Sequence, residues 1–134
     1  VGSITTNGSA TAYNTSSDYR LKTDIKPMEN AIDRLNALEP VNFEWIDSGE
    51  RVDGFIAHEA QLVVPDAVFG EKDAMRTEIV KDEDDVPTGE VLTLPDYQGI
   101  DQSKLVPLLT KALQEAISKI DALEARVATI EGGG

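Results

Sequence analysis

The segment Ser17–Lys22, with the sequence SDYRLK, places a hydroxyl group and a primary amine five positions apart. A serine hydroxyl can attack a peptide carbonyl without histidine or metal if a neighbouring lysine, in its neutral form, takes up the hydroxyl proton. The segment follows a lead-in rich in Gly, Ser, Thr and Asn, residues 1–16. Because a self-cleaving protein would be cut between a spacer and a patterned domain, this segment is a candidate for autoproteolysis.

This chemistry carries two physical constraints. A free lysine has a pKa near ~10.4, so burial or a nearby cation must lower that value before a lysine serves as a base, and Arg20 is a candidate for the cation. Positions 17 and 22 project to opposite faces of a strand and diverge by about 140° on a helix. The pair therefore requires a turn between its members, or a Lys22 supplied by a neighbouring chain. An isolated Ser-x4-Lys is more often a turn-capping serine and a surface lysine.

The composition of the chain excludes several other classes of function and partner. The formal net charge of −13 argues against nucleic acid or an anionic membrane as partner. The absence of cysteine excludes disulfides and thiolate chemistry. No apolar run approaches the roughly 18 residues that span a bilayer, and we expect no signal peptide at the N-terminus. We expect no metal and no cofactor, and we interpret the acidic connection 82–89 as a solvated loop because its ligand spacing is poor.

Hydrophobic patterning predicts an α+β fold with an N-terminal helix, short strands, a β-hairpin arm and a long C-terminal helix. Trp45 and Phe55 are predicted to lie in the core. The predicted elements are a helix over residues 25–40 with Pro27 at its start, a strand over 41–45, a buried strand over 54–57, a helix over 58–63, and a hairpin of 75–81 with 90–94.

Residues 100–131 contain an unbroken heptad pattern that predicts a coiled coil. The a positions are Val106, Leu113, Ile120 and Val127, and the d positions are Leu109, Ala116, Leu123 and Ile130. Further apolar residues widen the first half of this face, so we expect the helix start to pack on the domain. Pro107 is tolerated only in the first turn, which puts the helix start near 103–105. A dimer, a trimer and a helix packed within one subunit remain open on the pattern alone.

Several motifs, taken in order, resemble the C-terminal intramolecular chaperone auto-processing domain of phage tail fibres and endosialidase tailspikes. The resemblance covers residues 17–131. It rests on SDYRLK, Leu38-Glu39-Pro40, Phe43-Glu44-Trp45, Gly54-Phe55-Ile56-Ala57-His58-Glu59, Val64-Pro65-Asp66-Ala67-Val68, Leu105-Val106-Pro107-Leu108-Leu109 and Lys111-Ala112-Leu113-Gln114-Glu115. One departure is Asp101-Gln102, where relatives often carry Asp-Tyr.

The resemblance implies a homotrimeric chaperone that folds the upstream fibre of the same polypeptide and then cuts itself off as a single-turnover serine endopeptidase. The cleaved bond would be Ser16–Ser17, with Ser17 as nucleophile and Lys22 as general base. Residues 1–16 would then be the end of the fibre and 17–134 the chaperone domain. The expected compartment is the host cytoplasm during virion assembly, with the chaperone absent from the mature virion or only loosely bound to it.

Four further residues are candidates for supporting roles. His58, the single histidine, would orient the dyad or stabilise an oxyanion, or it is a structural hydrogen-bonding residue. Glu59 would pair with Lys22 or Arg20, or is solvated. Asp18 would form the turn or pair with Arg20. A second function stays open: a trimerisation and assembly module of a fibrous protein that does not cleave itself.

Overall fold

The computed structural model describes residues 2–6 and 11–133, and their burial from Ser16 onward. It confirms the α+β class. The elements are β1 (Gly2–Thr6), β2 (Thr11–Thr15), α1 (Ala31–Asn36), β3 (Val41–Glu44), β4 (Arg51–Gly54), α2 (Ala57–Gln61), β5 (Val68–Phe69), β6 (Met75–Lys81), β7 (Pro87–Pro95), β8 (Gly99–Ile100) and α3 (Val106–Gly132). Short 3-10 turns lie at Tyr19–Leu21, Pro65–Ala67 and Gln102–Leu105.

The strands of the described residues form separate antiparallel pairs and no larger sheet. The pairs are β1 with β2, β3 with β4, β5 with β8, and β6 with β7. The last of these is the predicted arm, with Met75 opposite Pro95 and a bulge between Ile79 and Lys81. Its second strand is longer than predicted and takes in residues 87–89, so the acidic connection shortens to 82–86.

A small aliphatic core joins α1, α2 and the start of α3. Its buried members are Ala31, Leu38, Ala60, Val64, Ala67, Leu105, Leu108 and Ala112. Phe55 packs against this core half-buried, as predicted, whereas the prediction for Trp45 is wrong because 54% of it is exposed. Trp45 lies one residue beyond β3 and stacks edge-to-face on Phe43, with ring centroids 4.9 Å apart.

The first helix is shorter than the predicted 25–40, and the backbone explains why. Asn30 adopts a left-handed conformation with φ of 56°, which a right-handed helix cannot continue, so α1 begins at Ala31. It ends at Asn36, before Pro40 could terminate it. The apolar stripe lies on one face, as its spacing predicts, and its residues Met28, Ile32 and Leu35 pack against the core.

The strand predicted at 54–57 is displaced toward the N-terminus. β4 ends at Gly54, where a Cβ would approach the Phe43 ring at 2.9 Å, and α2 begins three residues later at Ala57. The helix predicted over 58–63 therefore begins one residue earlier than predicted, at Ala57, and ends two residues earlier, at Gln61. Pro65 begins a 3-10 turn, consistent with its predicted role as a stop.

The long helix α3 begins at Val106, one residue after the predicted start near 103–105. A 3-10 turn leads into it and Pro107 lies in its first turn. One face of its first half packs on α1, with Leu108 1% exposed and Ala112 equally buried. The Glu115 carboxylate accepts a hydrogen bond from the Ile32 backbone N–H over 3.4 Å. A side chain of α3 thus provides an acceptor for the first turn of α1, where the N-cap residue forms no side-chain hydrogen bond. Among the described helices, none has both the length and the apolar character that a membrane span requires.

Candidate functional site

A single 3-10 turn, Tyr19–Leu21, separates Ser17 from Lys22. The Leu21 N–H donates to the Asp18 carbonyl and the Lys22 N–H to the Tyr19 carbonyl, each over 3.1 Å. Lys22 then returns to an extended backbone with φ of −122°. The segment thus folds back on itself within a few residues, which no regular strand or helix would allow.

The turn brings the two candidate catalytic side chains together within one chain. Lys22 Nζ donates a hydrogen bond to Ser17 Oγ over 2.6 Å. Of the two arrangements left open by the spacing, an intervening turn and a lysine from a neighbour, the single chain adopts the turn. An amine in contact with a hydroxyl oxygen is placed to remove the hydroxyl proton once the amine is neutral.

Asp18 and Arg20 are joined by hydrogen bonds that stabilise this turn. Asp18 Oδ1 accepts the Arg20 backbone N–H at 2.8 Å and its Nε at 2.9 Å, while Oδ2 accepts Nη2 at 2.9 Å. Asp18 is therefore both the cap of the turn and the ion-pair partner of Arg20. The hydrogen bonds from Arg20 hold the pKa of Asp18 below its usual range, and the same bonds raise the pKa of Arg20.

The positive charge of Arg20 is thus compensated by an adjacent carboxylate. A cation lowers the pKa of a neighbouring lysine through its net positive charge. The Asp18–Arg20 ion pair has little net charge, because the carboxylate and the guanidinium offset each other. Arg20 is better described in the single chain as a partner of Asp18 than as a free cation beside the amine.

The whole dyad segment is exposed in the single chain. Residues 16–27 are all exposed, including the apolar side chains of Tyr19 (77%), Leu21 (65%) and Ile25 (78%). No residue of the 3-10 turn is buried. The turn is therefore held by its own hydrogen bonds rather than by the core.

The other two candidate residues lie on α2. His58 is half-buried and lines a cavity of about 420 Å³ together with the loop 71–74 and residues 95–98. In this loop, a hydrogen bond from Lys72 lowers the pKa of Asp73, and the neighbouring His58 contributes the smallest part of that lowering. Between the described residues, neither His58 nor Glu59 forms a side-chain hydrogen bond to the dyad, and Arg20 pairs with Asp18 instead of Glu59. Their supporting roles stay predictions.

The heptad face of α3 is the second candidate functional surface. Along it the exposed fraction of each large side chain lies between 47% and 72%. These residues are Val106, Leu109, Leu113, Ile120, Leu123, Val127 and Ile130. The buried face of α3, with Leu108 and Ala112, is a different face that packs inside the subunit. The helix thus presents one stripe to its own domain and another that is unpaired in a single chain.

Comparisons with known proteins agree with the resemblance seen in the sequence. Residues 17–69 match the sequence model of the family Peptidase_S74, described as chaperone of endosialidase. The fold is similar to the solved carboxy-terminal domain of the bacteriophage T5 L-shaped tail fiber with its intra-molecular chaperone domain, at a TM-score of 0.52 and 16% identity. That similarity covers 90% of this chain, which spans only 33% of the T5 chain. No curated protein matches. The predicted resemblance is therefore confirmed, and the fold is shared.

Proposed function

We propose that this chain is a phage tail-fibre chaperone domain that assembles the fibre as a homotrimer and then removes itself by cutting the Ser16–Ser17 bond. The observation that carries the proposal is the 2.6 Å hydrogen bond from Lys22 Nζ to Ser17 Oγ. The family match, which begins at Ser17, and the shared fold support the chaperone role. The substrate is the chain itself, so the reaction occurs once per molecule.

The position of the nucleophile determines the kind of reaction. Ser17 contributes the nitrogen of the bond to be cut, so its Oγ reaches the Ser16 carbonyl carbon by closing a five-membered ring. Lys22 takes the hydroxyl proton, the C–O bond forms, and the C–N bond breaks as that proton passes to the Ser17 nitrogen. The product of this step is an ester between the Ser16 carbonyl and Ser17 Oγ.

Water then completes the cut. Attack on the ester carbonyl releases the Ser16 carboxylate and restores the Ser17 hydroxyl, with Ser17 as the new N-terminal residue. Hydroxylamine added during cleavage competes with water for the ester and leaves a hydroxamate on Ser16, a mass difference that peptide mass spectrometry detects. Cleavage with no hydroxamate at any hydroxylamine concentration would contradict the ester intermediate.

The exposed heptad face supports the trimeric state. Seven large apolar side chains at a and d positions face solvent in the single chain, a pattern typical of helices that pair with copies of themselves. If assembly also covers the exposed dyad segment, that burial would favour the neutral form of its lysine. Cleavage would then follow assembly in the host cytoplasm, and the freed chaperone would leave the mature virion or stay only loosely bound.

A non-cleaving assembly module is the competing function, and the exposure of the dyad in the single chain favours it. Exposed serines and lysines are ordinarily inert surface groups. Four variants separate the two functions: Ser17→Ala and Lys22→Arg remove the proposed chemistry, whereas Ser16→Ala and Lys26→Arg are matched neighbours.

Lys22→Arg is the sharpest of these variants. Arginine keeps the charge and hydrogen-bond donors, but its guanidinium does not lose its proton in proteins. On a gel time course, the wild type and the two neighbour variants should cleave, while Ser17→Ala and Lys22→Arg stay intact. Cleavage of Ser17→Ala at the wild-type rate, or none in the wild type, would support the assembly module.

A further inference from the structure

The turn that joins Ser17 to Lys22 has no support from the core of its own subunit. None of its residues is buried, and Tyr19 and Leu21 are 77% and 65% exposed. Its two backbone hydrogen bonds, both 3.1 Å long, would leave a short solvent-facing turn free to open. Something else must favour the closed form, in which the amine meets the hydroxyl.

Besides the Lys22–Ser17 hydrogen bond itself, the restraint on this turn within the described residues is the Asp18–Arg20 fork. Three hydrogen bonds of 2.8 to 2.9 Å join the Asp18 carboxylate to the backbone and guanidinium of Arg20. One of them caps the turn, and the other two form a bidentate ion pair, the stronger geometry for an exposed pair. Both partners lie between the two catalytic candidates in sequence.

We propose that Asp18 and Arg20 are positioning residues for autoproteolysis, acting as a clamp that closes the turn and holds Lys22 Nζ against Ser17 Oγ. This inference rests on the proposed function. The clamp touches neither the scissile bond nor the attacking oxygen, so it changes the fraction of chains with a formed dyad and leaves the chemistry of the dyad unchanged.

The charge state of the clamp suits this role. Asp18 is ionised throughout the neutral range, because its hydrogen bonds with Arg20 and, to a smaller extent, the charge of Lys22 hold its pKa below the usual value. The groups that face Asp18 are therefore these two cations of its own segment. Asp18 and Arg20 therefore both keep their charges wherever a lysine base can operate.

The test compares cleavage rates of the full chain under assembly conditions. Asp18→Ala removes the cap and the fork and should slow cleavage about fivefold, the effect typical of a lost helix cap. Arg20→Ala removes only the fork and should have a smaller effect. The double variant should be no slower than Asp18→Ala alone, because the two residues act through each other. A double variant slowed by the product of both single effects would overturn the clamp.

Two controls exclude a merely structural effect. Lys26→Ala breaks the Asp24–Lys26 pair, which has the same spacing in the same exposed segment, and should cleave like the wild type. Asp18→Asn keeps one acceptor oxygen for the cap and should recover part of the rate lost in Asp18→Ala. The slope of rate against pH should be unchanged in every variant, since none is the base.

The outcomes separate this inference from the proposed function. A wild-type chain that never cleaves contradicts the proposed function itself. A wild-type chain that cleaves while Asp18→Ala cleaves equally fast contradicts the clamp alone, as does a slowing by Lys26→Ala equal to that by Arg20→Ala. An altered pH slope in Asp18→Ala would instead make the carboxylate part of the proton transfer and overturn its positioning role.

Discussion

The chemistry at the residue scale depends on which groups change charge near neutral pH. Asp18 has a depressed pKa, so its stabilising contact is fully present above the unfolded value of about 3.9 and is lost only as the pH falls through the lower folded value. A lysine base, by contrast, gains reactivity as its neutral fraction grows with pH. The two titrations therefore fall in separate pH ranges.

Cleavage should accordingly rise with pH between about 6 and 9, because a lysine general base acts only in its neutral form. The clamp contributes no inflection in this window, because Asp18 is already ionised there. Quenched time courses on a gel at fixed protein concentration measure the profile. A flat profile, or one that falls as the pH rises, would contradict a lysine base.

Residue-scale prediction from the sequence found the dyad and the pairing of Asp18 with Arg20, but not the geometry of that pair. The spacing of Ser17 and Lys22 required a turn or a second chain, and the structure contains the turn. The bidentate fork, and with it the compensation of Arg20's charge, follows from side-chain geometry that spacing does not fix. The position of His58 beside the loop 71–74 depends on tertiary packing and left no signal in the local sequence.

At the scale of elements, α3 shows how much a periodic pattern reveals. Its start and its two apolar faces were predictable, since Pro107 restricts the first turn and the heptad pattern separates the stripes. The length of α1 was not, because Asn30 adopts a left-handed backbone that residue type alone does not dictate. Trp45 was misplaced because β3 ends one residue before it.

The buried face of α3 should dominate the stability of the subunit. Leu108→Ala removes a side chain that is 1% exposed between α3 and α1, and should lower the free energy of unfolding by about 2–5 kcal/mol. Leu62→Ala makes the same chemical change where the side chain is 86% exposed, and should change it by about 0.5 kcal/mol or less.

Urea denaturation of both variants in the Ser17→Ala background, at one protein concentration, gives the comparison without loss of the N-terminal segment. Equal destabilisation by the two substitutions would show that Leu108 does not anchor the helix on the core.

For the whole molecule, the main feature is apolar surface that one chain leaves uncovered. The heptad face of α3, the dyad segment and the β6–β7 arm all expose large apolar side chains, among them Ile79 at 62% and Val91 at 59%. Among residues 16–133, the buried core is small and consists of aliphatic residues. Exposed apolar surfaces of this extent mark interaction sites, and the proposed homotrimer provides partners for the helix.

The heptad face should determine the oligomeric state. Replacing Ile120 and Leu123 together by Ser removes one a and one d residue, 53% and 55% exposed in the single chain, and should convert the trimer to monomer. Ala122→Ser with Ala125→Ser changes the same stretch away from the seam and should leave the trimer intact. Sedimentation equilibrium measures both, and a wild-type chain that sediments as a monomer would contradict the proposed assembly.

The central claim is that the chain cuts its own Ser16–Ser17 bond, and the most direct test is the intact mass of the purified chain after assembly. The account predicts two products, residues 1–16 and residues 17–134, with Ser17 as the N-terminus of the larger one. Both should be absent from Ser17→Ala prepared in parallel. A single mass for the uncut chain, or fragments that meet at any other bond, would contradict it.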